Sequence, residues 1–348
     1  MKYIELFAGC GGLSLGLESL GYELLFANEL SPMASETFAF NLLNEDLSAI
    51  EDRPQKVKWI TSNYDVSELP QRLRENPQTF PVYPEGHSDL PDNLDGFRNC
   101  LLVGSIIELN AFLRKNPQIS DEIRRQNVDL VSGGPPCQSF SMAGLRQVDN
   151  QRNSLPMDFA EFVSITEPKI ALLENVSGIL RAFKLGDSKY FAWFEVARAF
   201  ASKGYYPICL HVNAKYAGAA QNRPRFILIA IREDVFSTIS EKATSNQLIK
   251  LLRESQAFME KERNGEKTIV FSDLNYHDIE KDAELFSDDH FSSLFSLKTE
   301  SDFFSVEDAI DDLKGYGDVR SNYASTLKKV FPAPPSVSKI ETYFESRA

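Results

Sequence analysis

Near its start the chain switches repeatedly between a strand rhythm and a helix rhythm. Tyr3-Ile4-Glu5-Leu6-Phe7 is an apolar run of strand length, and residues 13–20 carry apolar side chains at the three-to-four spacing of a short helix. Glycines occupy the join, between Gly9 and Gly12, and Gly21 stands where that helix must end. Glu23-Leu24-Leu25-Phe26-Ala27 predicts a second strand and residues 32–42 a second helix. This is the opening βαβ unit of a doubly wound sheet. Further strands are predicted at 101–104, 128–131, 169–173, 206–212 and 226–231, with helices over 158–165 and 196–202. Short strands that are apolar at successive positions imply a sheet covered on both faces. The fold class is therefore α/β, a doubly wound, mostly parallel sheet.

Residues 44–99 break this regularity. They are rich in Pro, Asn and Asp and hold no sustained period, which reads as an insertion on the domain surface. The pattern divides the chain into a domain over 1–232 and a helical, charged C-terminal extension over 233–348. Between Asp273 and Asp312 thirteen acidic residues face only Lys281 and Lys298, so this tract holds most of the net charge of −13 on 348 residues. Such a run is ordinarily a solvated segment. A charge of this sign is awkward for a protein that grips nucleic acid, whose phosphates are met by Lys and Arg. No apolar run is long enough to span a bilayer, and the first residues lack the features of a signal peptide, so no membrane role is expected. Cys10, Cys100, Cys137 and Cys209 form no C-x-x-C pair and do not cluster with the four histidines. That argues against a metal site and for the reduced thiols of a cytoplasmic protein.

The densest chemistry lies at Gly133-Gly134-Pro135-Pro136-Cys137-Gln138-Ser139-Phe140-Ser141, directly after a predicted strand. Two prolines make the approach to Cys137 stiff and extended, and strand exits are where α/β enzymes keep reactive groups. A nucleophilic thiol there requires positive neighbours or amide donors. The plainer alternative is a half-buried structural cysteine, for which this scaffold is needlessly elaborate. Phe7-Ala8-Gly9-Cys10-Gly11-Gly12 joins strand to helix, where glycines admit a ligand to the backbone. Glu29, at the end of the second strand, is placed to accept from ribose hydroxyls. The spacing is Gly-x-Gly-Gly, not G-x-G-x-x-G, which disfavours a nicotinamide dinucleotide. Glu174-Asn175-Val176 follows an apolar strand, so its carboxyl is expected to be partly desolvated, as suits a proton donor. In Gln221-Asn222-Arg223-Pro224-Arg225, alternate residues of an extended strand put Gln221, Arg223 and Arg225 on one side.

Together these segments resemble the motifs of the cytosine-C5 DNA methyltransferases. The resemblance implies S-adenosylmethionine as cofactor and double-stranded DNA as substrate, with a cytosine flipped out of the helix, in a bacterial restriction-modification setting. It makes Cys137 the thiolate that adds to C6, sets Glu174 at N3 and the exocyclic amine, and sets Arg225 at O2 with Arg223 in support. It gives the methionine part of the cofactor to the loop of Gly9, Gly11 and Gly12, with Phe7 packing beside it and Glu29 on the ribose. Leu30 stands where the family commonly has an aromatic residue against adenine, and Ser105-Ile106 where an Asp often binds the adenine amine. Pro135 and Leu155 complete the implied cofactor set. The segment 141–155 matches a loop that closes over DNA, with Gln138, Ser141 and Arg152 as candidate DNA contacts. No target-recognition region and no final cofactor-pocket motif is recognised after residue 232, which implies either a second polypeptide that carries them or a truncated form of such an enzyme. The alternatives are an RNA (tRNA) cytosine-5 methyltransferase and a non-catalytic subunit that retains the fold.

Overall fold

The structure, a computed structural model, describes residues 1–49, 53–76, 86–136, 155–185, 188–265, 269–288, 303–305 and 307. Among the described residues the chain divides into two compact units. One holds Met1–Pro135 and Glu161–Pro168, the other Pro136–Ala160 and Lys169–Leu327.

The first unit follows the predicted rhythm. It contains β1 (Lys2–Leu6), α1 (Gly12–Ser19), β2 (Glu23–Glu29), α2 (Pro32–Phe38), β3 (Val57–Trp59), α3 (Leu69–Arg72), β4 (Cys100–Val103), α4 (Ile106–Lys115), α5 (Pro117–Arg125) and β5 (Leu130–Gly133). The strands lie in the order β5-β1-β2-β4-β3, all parallel. The chain winds outward from β1 on one flank and then returns to β5 on the other. A doubly wound sheet has its switch point, and its ligand crevice, where that reversal occurs; here it falls between the carboxyl ends of β1 and β5. All residues of β4 and β5 are buried, as strands covered on both faces must be. Phe26 of β2 anchors the core, edge-on to Phe162 at 6.2 Å and tilted against Phe97 at 5.8 Å.

Two parts of this unit depart from the sequence reading. The 44–99 segment adds a strand to the sheet, β3 pairing with β4 at Val57↔Leu101 and Trp59↔Val103, and Trp59 is fully buried. A three-residue strand is too short to show a period, so only the pairing partner reveals it. Arg72, also fully buried, forms an ion pair with Asp89 and sits over the Trp59 ring at 5.2 Å. Helices α4 and α5 were likewise not anticipated, although each has a start signal. The Ser105 hydroxyl accepts the Ile107 N–H at 3.2 Å as N-cap of α4, and Pro117 opens α5.

Helix α6 (Leu155–Thr166) contributes residues to both units. The second unit then holds β6 (Ile170–Val176), the hairpin β7 (Ala182–Leu185) and β8 (Ser188–Phe191), α7 (Ala192–Ser202), β9 (Tyr205–Asn213), β10 (Pro224–Arg232), α8 (Glu233–Lys242), α9 (Asn246–Arg263), β11 (Tyr276–Asp278) and α10 (Ala283–Phe286). Its main strands run β11-β9-β10-β6, with β10 antiparallel to both neighbours and β11 parallel to β9. Of the seven pairings described in the larger strands of the two units, five are parallel, so the α/β, mostly parallel expectation holds. Trp193, Phe194 and Phe258 form an edge-to-face aromatic cluster, with Tyr276 of β11 edge-on to Trp193 at 5.5 Å. No helix among the described residues is long and apolar enough to cross a membrane.

Candidate active site

The glycine loop sits at the switch point. Beyond β1 the backbone turns through Phe7 at φ 55°, Gly9 at 55° and Gly11 at 90°. A positive φ is costly for an aromatic residue and tends to persist where the surroundings over-determine it, commonly at functional sites. The loop is tied to β2 by two bonds, Ala8 N–H to the Asn28 carbonyl at 3.0 Å and Gly9 N–H to Glu29 Oε2 at 2.8 Å. Gly11 is required sterically: a Cβ there would lie 2.2 Å from Leu42 Cδ1 and 3.0 Å from Phe38 Cδ2. Gly9 and Gly12 differ, since a Cβ on either meets nothing within 4 Å. Their backbone therefore faces open space, and Gly11, as N-cap of α1, offers no side-chain cap to the first-turn amides. At Gly133 a Cβ would lie 2.6 Å from the Leu6 carbonyl oxygen, which shows how closely the ends of β5 and β1 approach. Pro135, just past β5, is buried.

Glu29 ties this loop to the end of β2. Its Oε2 accepts from Gly9 and its Oε1 from Ser31, each at 2.8 Å. Burial pushes the carboxyl above its ordinary range against the opposing pull of the Ser31, Gly9 and Leu30 amides. Each carboxylate oxygen offers two acceptor positions, so one on each remains for a diol. Ser105 is buried and spends an acceptor position on its own helix, which leaves its O–H to donate. Leu30 lies in the bend after β2, half-buried, and Ile106 opens α4, buried. Open glycine backbone, uncapped amides, a carboxylate at a strand end and a free hydroxyl fit a ligand with an α-amino acid end and a ribose. Leu155, the first residue of α6, is half-buried.

In the second unit Glu174 and Arg225 meet directly. Strand β6 buries alternate residues, and Glu174 falls on its more open face together with Leu172 and Val176. Arg225 is opposite Val176 and Glu174 opposite Ile227, so the two charged residues are diagonal neighbours across the ladder. Arg225 Nε lies 2.6 Å from Glu174 Oε1, with side-chain exposures of 19% and 34%. The carboxyl is only partly shielded, as expected, because period-two alternation sets Glu174 on the half-open face; a guanidinium partners it there, which the sequence reading did not anticipate. Arg225 Nη1 also donates to the Pro224 carbonyl at 2.9 Å, which leaves Nη2 without a partner among the described residues.

The expectation that Gln221, Arg223 and Arg225 share one strand face is corrected. Strand β10 starts at Pro224, and only Arg225 lies on it. Asn213 captures the preceding residues instead: its Oδ1 accepts the Arg223 N–H at 3.0 Å and its Nδ2 donates to Asn222 Oδ1 at 2.7 Å. Arg223 is exposed. Cys137, Gln138, Ser141 and Arg152 lie outside the described residues. Among the described residues no group of three or more His, Cys, Asp or Glu could hold a metal ion.

One cluster escaped sequence reasoning. Ser177, directly after β6, is 2.9 Å from His211 Nε2, and His211 Nδ1 is 2.8 Å from Asp278 Oδ2. Separations of 34 and 67 residues carry no spacing signal, and His211 reads simply as one polar position in an apolar strand.

Comparison with known proteins bears on the whole arrangement. The profile of the family described as C-5 cytosine-specific DNA methylase matches residues 1–66 and 110–333. The chain is 30% identical over 234 residues to the Type II methyltransferase M.DdeI of Desulfomicrobium norvegicum, covering 67% of this chain and 41% of that protein. It is 30% identical over 236 residues to M.NgoPII of Neisseria gonorrhoeae, covering 68% and 49%. With M.HindV of Haemophilus influenzae the identity is 28% over 229 residues, covering 66% and 52%. The chain spans about half the length of these curated relatives.

Proposed function

The chain belongs to the C-5 cytosine-specific DNA methylase family, and from that premise we propose that it catalyses methylation at C5 of a cytosine in double-stranded DNA as part of a bacterial restriction-modification system. The observation that carries this reading is the Glu174–Arg225 pair, two complementary groups held 2.6 Å apart on adjacent strand ends with an unspent guanidinium nitrogen beside them. S-adenosylmethionine, held by Gly9, Gly11, Gly12, Glu29 and Ser105 with Phe7, Leu30, Ile106, Pro135 and Leu155 about it, supplies an electrophilic methyl group.

The target cytosine must leave the duplex, because stacking hides both faces of C6; extrusion costs on the order of a few kcal/mol. Gln138, Ser141 and Arg152 are assigned to hold the DNA while it does. Cys137 thiolate then forms a bond to C6, and the electron pair of the C5–C6 double bond moves into the ring towards N3 and O2. Glu174, once it has taken up a proton, donates at N3 and accepts from the exocyclic amine, while Arg225 turns its free Nη2 donors to O2. The pair holds both groups beside one another on neighbouring strands, so the charge that develops on the ring is met by groups already in place. Arg223, exposed before β10, is assigned a supporting role. The enriched C5 would then take the methyl group as the methyl–sulfur bond of the sulfonium breaks and its sulfur leaves as a neutral thioether, and the residues named above would hold the two partners in line for this. Transfer of the C5 proton to water restores the double bond and expels the Cys137 thiolate. We assign site-specific DNA reading to a second polypeptide, and the whole to the cytoplasm.

The test is covalent trapping. DNA with fluorine in place of the C5 hydrogen permits addition and methylation but denies the proton loss that releases the enzyme. With cofactor present, the expected result is a stable protein–DNA adduct that maps to Cys137 and is absent in Cys137→Ala. The assay is run with the chain alone and with the product of the neighbouring open reading frame. An adduct at another residue, or none under either condition, overturns the reading.

A further inference from the structure

The proposed chemistry leaves unexplained the hydrogen-bonded row behind Glu174. Asp278 on β11 faces His211 on β9, His211 faces Phe226 on β10, and Phe226 faces Asn175 on β6. These four residues cross the unit's strands at one level, and Ser177 lies two positions beyond Asn175. The His211 ring reaches across β10 to bond Ser177 Oγ at 2.9 Å while Asp278 Oδ2 bonds its far nitrogen at 2.8 Å. His211 and Asp278 are largely shielded, with side-chain exposures of 21% and 12%.

The carboxylate is itself locked. Asp278 Oδ1 accepts the Glu280 N–H at 2.9 Å, and the Asp278 N–H donates to Asp282 at 2.7 Å. Against the upward push of burial, the bonds from His211 and Glu280 hold the Asp278 carboxyl below its ordinary range. An ionised carboxylate only accepts, so in the neutral imidazole of His211 the proton sits on Nδ1 and Nε2 accepts from the Ser177 hydroxyl. The direction of each bond is thereby assigned by the network. The Tyr276 ring stands edge-on to His211 at 6.4 Å.

We propose that His211, oriented by Asp278, is a positioning residue that anchors Ser177 and through it the Glu174-bearing end of β6. The inference rests on the reading of Glu174 as a group that meets the cytosine. The last described ladder pair of β6 is Val176 with Arg225, and Ser177 then opens a 3-10 turn over Ser177–Leu180. Beyond that pair the ladder no longer restrains the strand end, and the Ser177–His211 bond takes over. Because Asp278 belongs to β11, a segment past residue 232 completes the support of a group on β6. A loosened strand end would change how often Glu174 meets the ring, not how tightly the chain holds DNA or cofactor.

Two measurements on the full chain decide the matter. In the first, amide exchange is followed by mass spectrometry over the peptide around 172–180 in wild type, Ser177→Ala and Ser177→Thr. Ser177→Ala should speed exchange on the order of tenfold, as loss of one partly buried hydrogen bond implies, and Ser177→Thr, which keeps the hydroxyl, should restore it. Unchanged exchange in Ser177→Ala overturns the anchor whether or not the chain methylates DNA. In the second, Ser177→Ala should lower kcat for methyl transfer about tenfold with KM for DNA and cofactor unchanged, and Ser177→Thr should recover it. An active wild type with an unaltered kcat in Ser177→Ala overturns the positioning role, whereas an inactive wild type tells against the methylation reading and leaves the exchange result to judge the anchor. The same three residue types order a nucleophilic serine in hydrolases. Stoichiometric labelling of Ser177 by a fluorophosphonate would replace positioning with nucleophilic reactivity.

Discussion

Two residues, one beneath the glycine loop and one within it, carry opposite lessons about burial. Glu5, in the middle of β1, is 2% exposed and accepts a hydrogen bond from the Ser14 hydroxyl at the start of α1. Desolvation pushes its carboxyl up to about 7 from an ordinary 4.5. The native state therefore keeps a proton that the unfolded chain releases near pH 4.5. Glu5's contribution to stability is complete below that pH and is lost as pH rises through about 7, in all roughly 3 kcal/mol. Glu5→Gln should match wild type in urea unfolding at pH 4.5 and exceed it at pH 8 by a similar amount; an equal offset at both would refute the linkage. Gly11 has no such tolerance. With φ at 90° and Leu42 Cδ1 at 2.2 Å from a built Cβ, Gly11→Ala combines left-handed strain with overpacking, for a loss of about 2–4 kcal/mol. Thermal melts should record the loss, and calorimetry with S-adenosylmethionine should record weakened binding. Gly12→Ala, which meets nothing within 4 Å, should melt close to wild type.

At the scale of elements, the ends of β6, β9 and β10 define the chemical edge. Asn213 closes β9 by holding the Arg223 amide and the Asn222 side chain, and that is why Arg225 alone enters the ladder. Asn213→Ala leaves those groups unpaired and should cost about 1–3 kcal/mol; differential scanning fluorimetry would detect it, and an unshifted melt would contradict the role. Glu174→Gln separates stability from chemistry. The pair it breaks is partly exposed, so unfolding should change by less than about 1 kcal/mol, while single-turnover methyl transfer should fall on the order of 10²–10⁴-fold. A comparable fall in both would mean that Glu174 is structural.

At the scale of the whole molecule, charge is the dominant fact. With a net −13, of which −11 falls between Asp273 and Asp312, the chain alone should bind random DNA more weakly than the ~10⁻⁴–10⁻⁶ M usual at physiological salt. Fluorescence anisotropy across a salt series checks this; tight binding with a steep salt slope would reveal a basic face that the sum of charges conceals. The strands that open the chain, the glycine loop, Glu29, and the placing of Glu174 and Arg225 at strand ends were legible in the sequence, because hydrophobic period and glycine placement are local properties. The short β3, the start of β10 and helices α4 and α5 were not anticipated: a three-residue strand shows no period, and the end of β9 is set by what the Asn213 side chain finds. Nor could any reading of spacing unite Ser177, His211 and Asp278. The linear chain determines which groups exist and the rhythm that carries them to strand ends, since rhythm needs only near neighbours. Which of those groups touch, and which are partnered or left open, was decided by strand order and register, because they set residues scores of positions apart a few ångströms from one another.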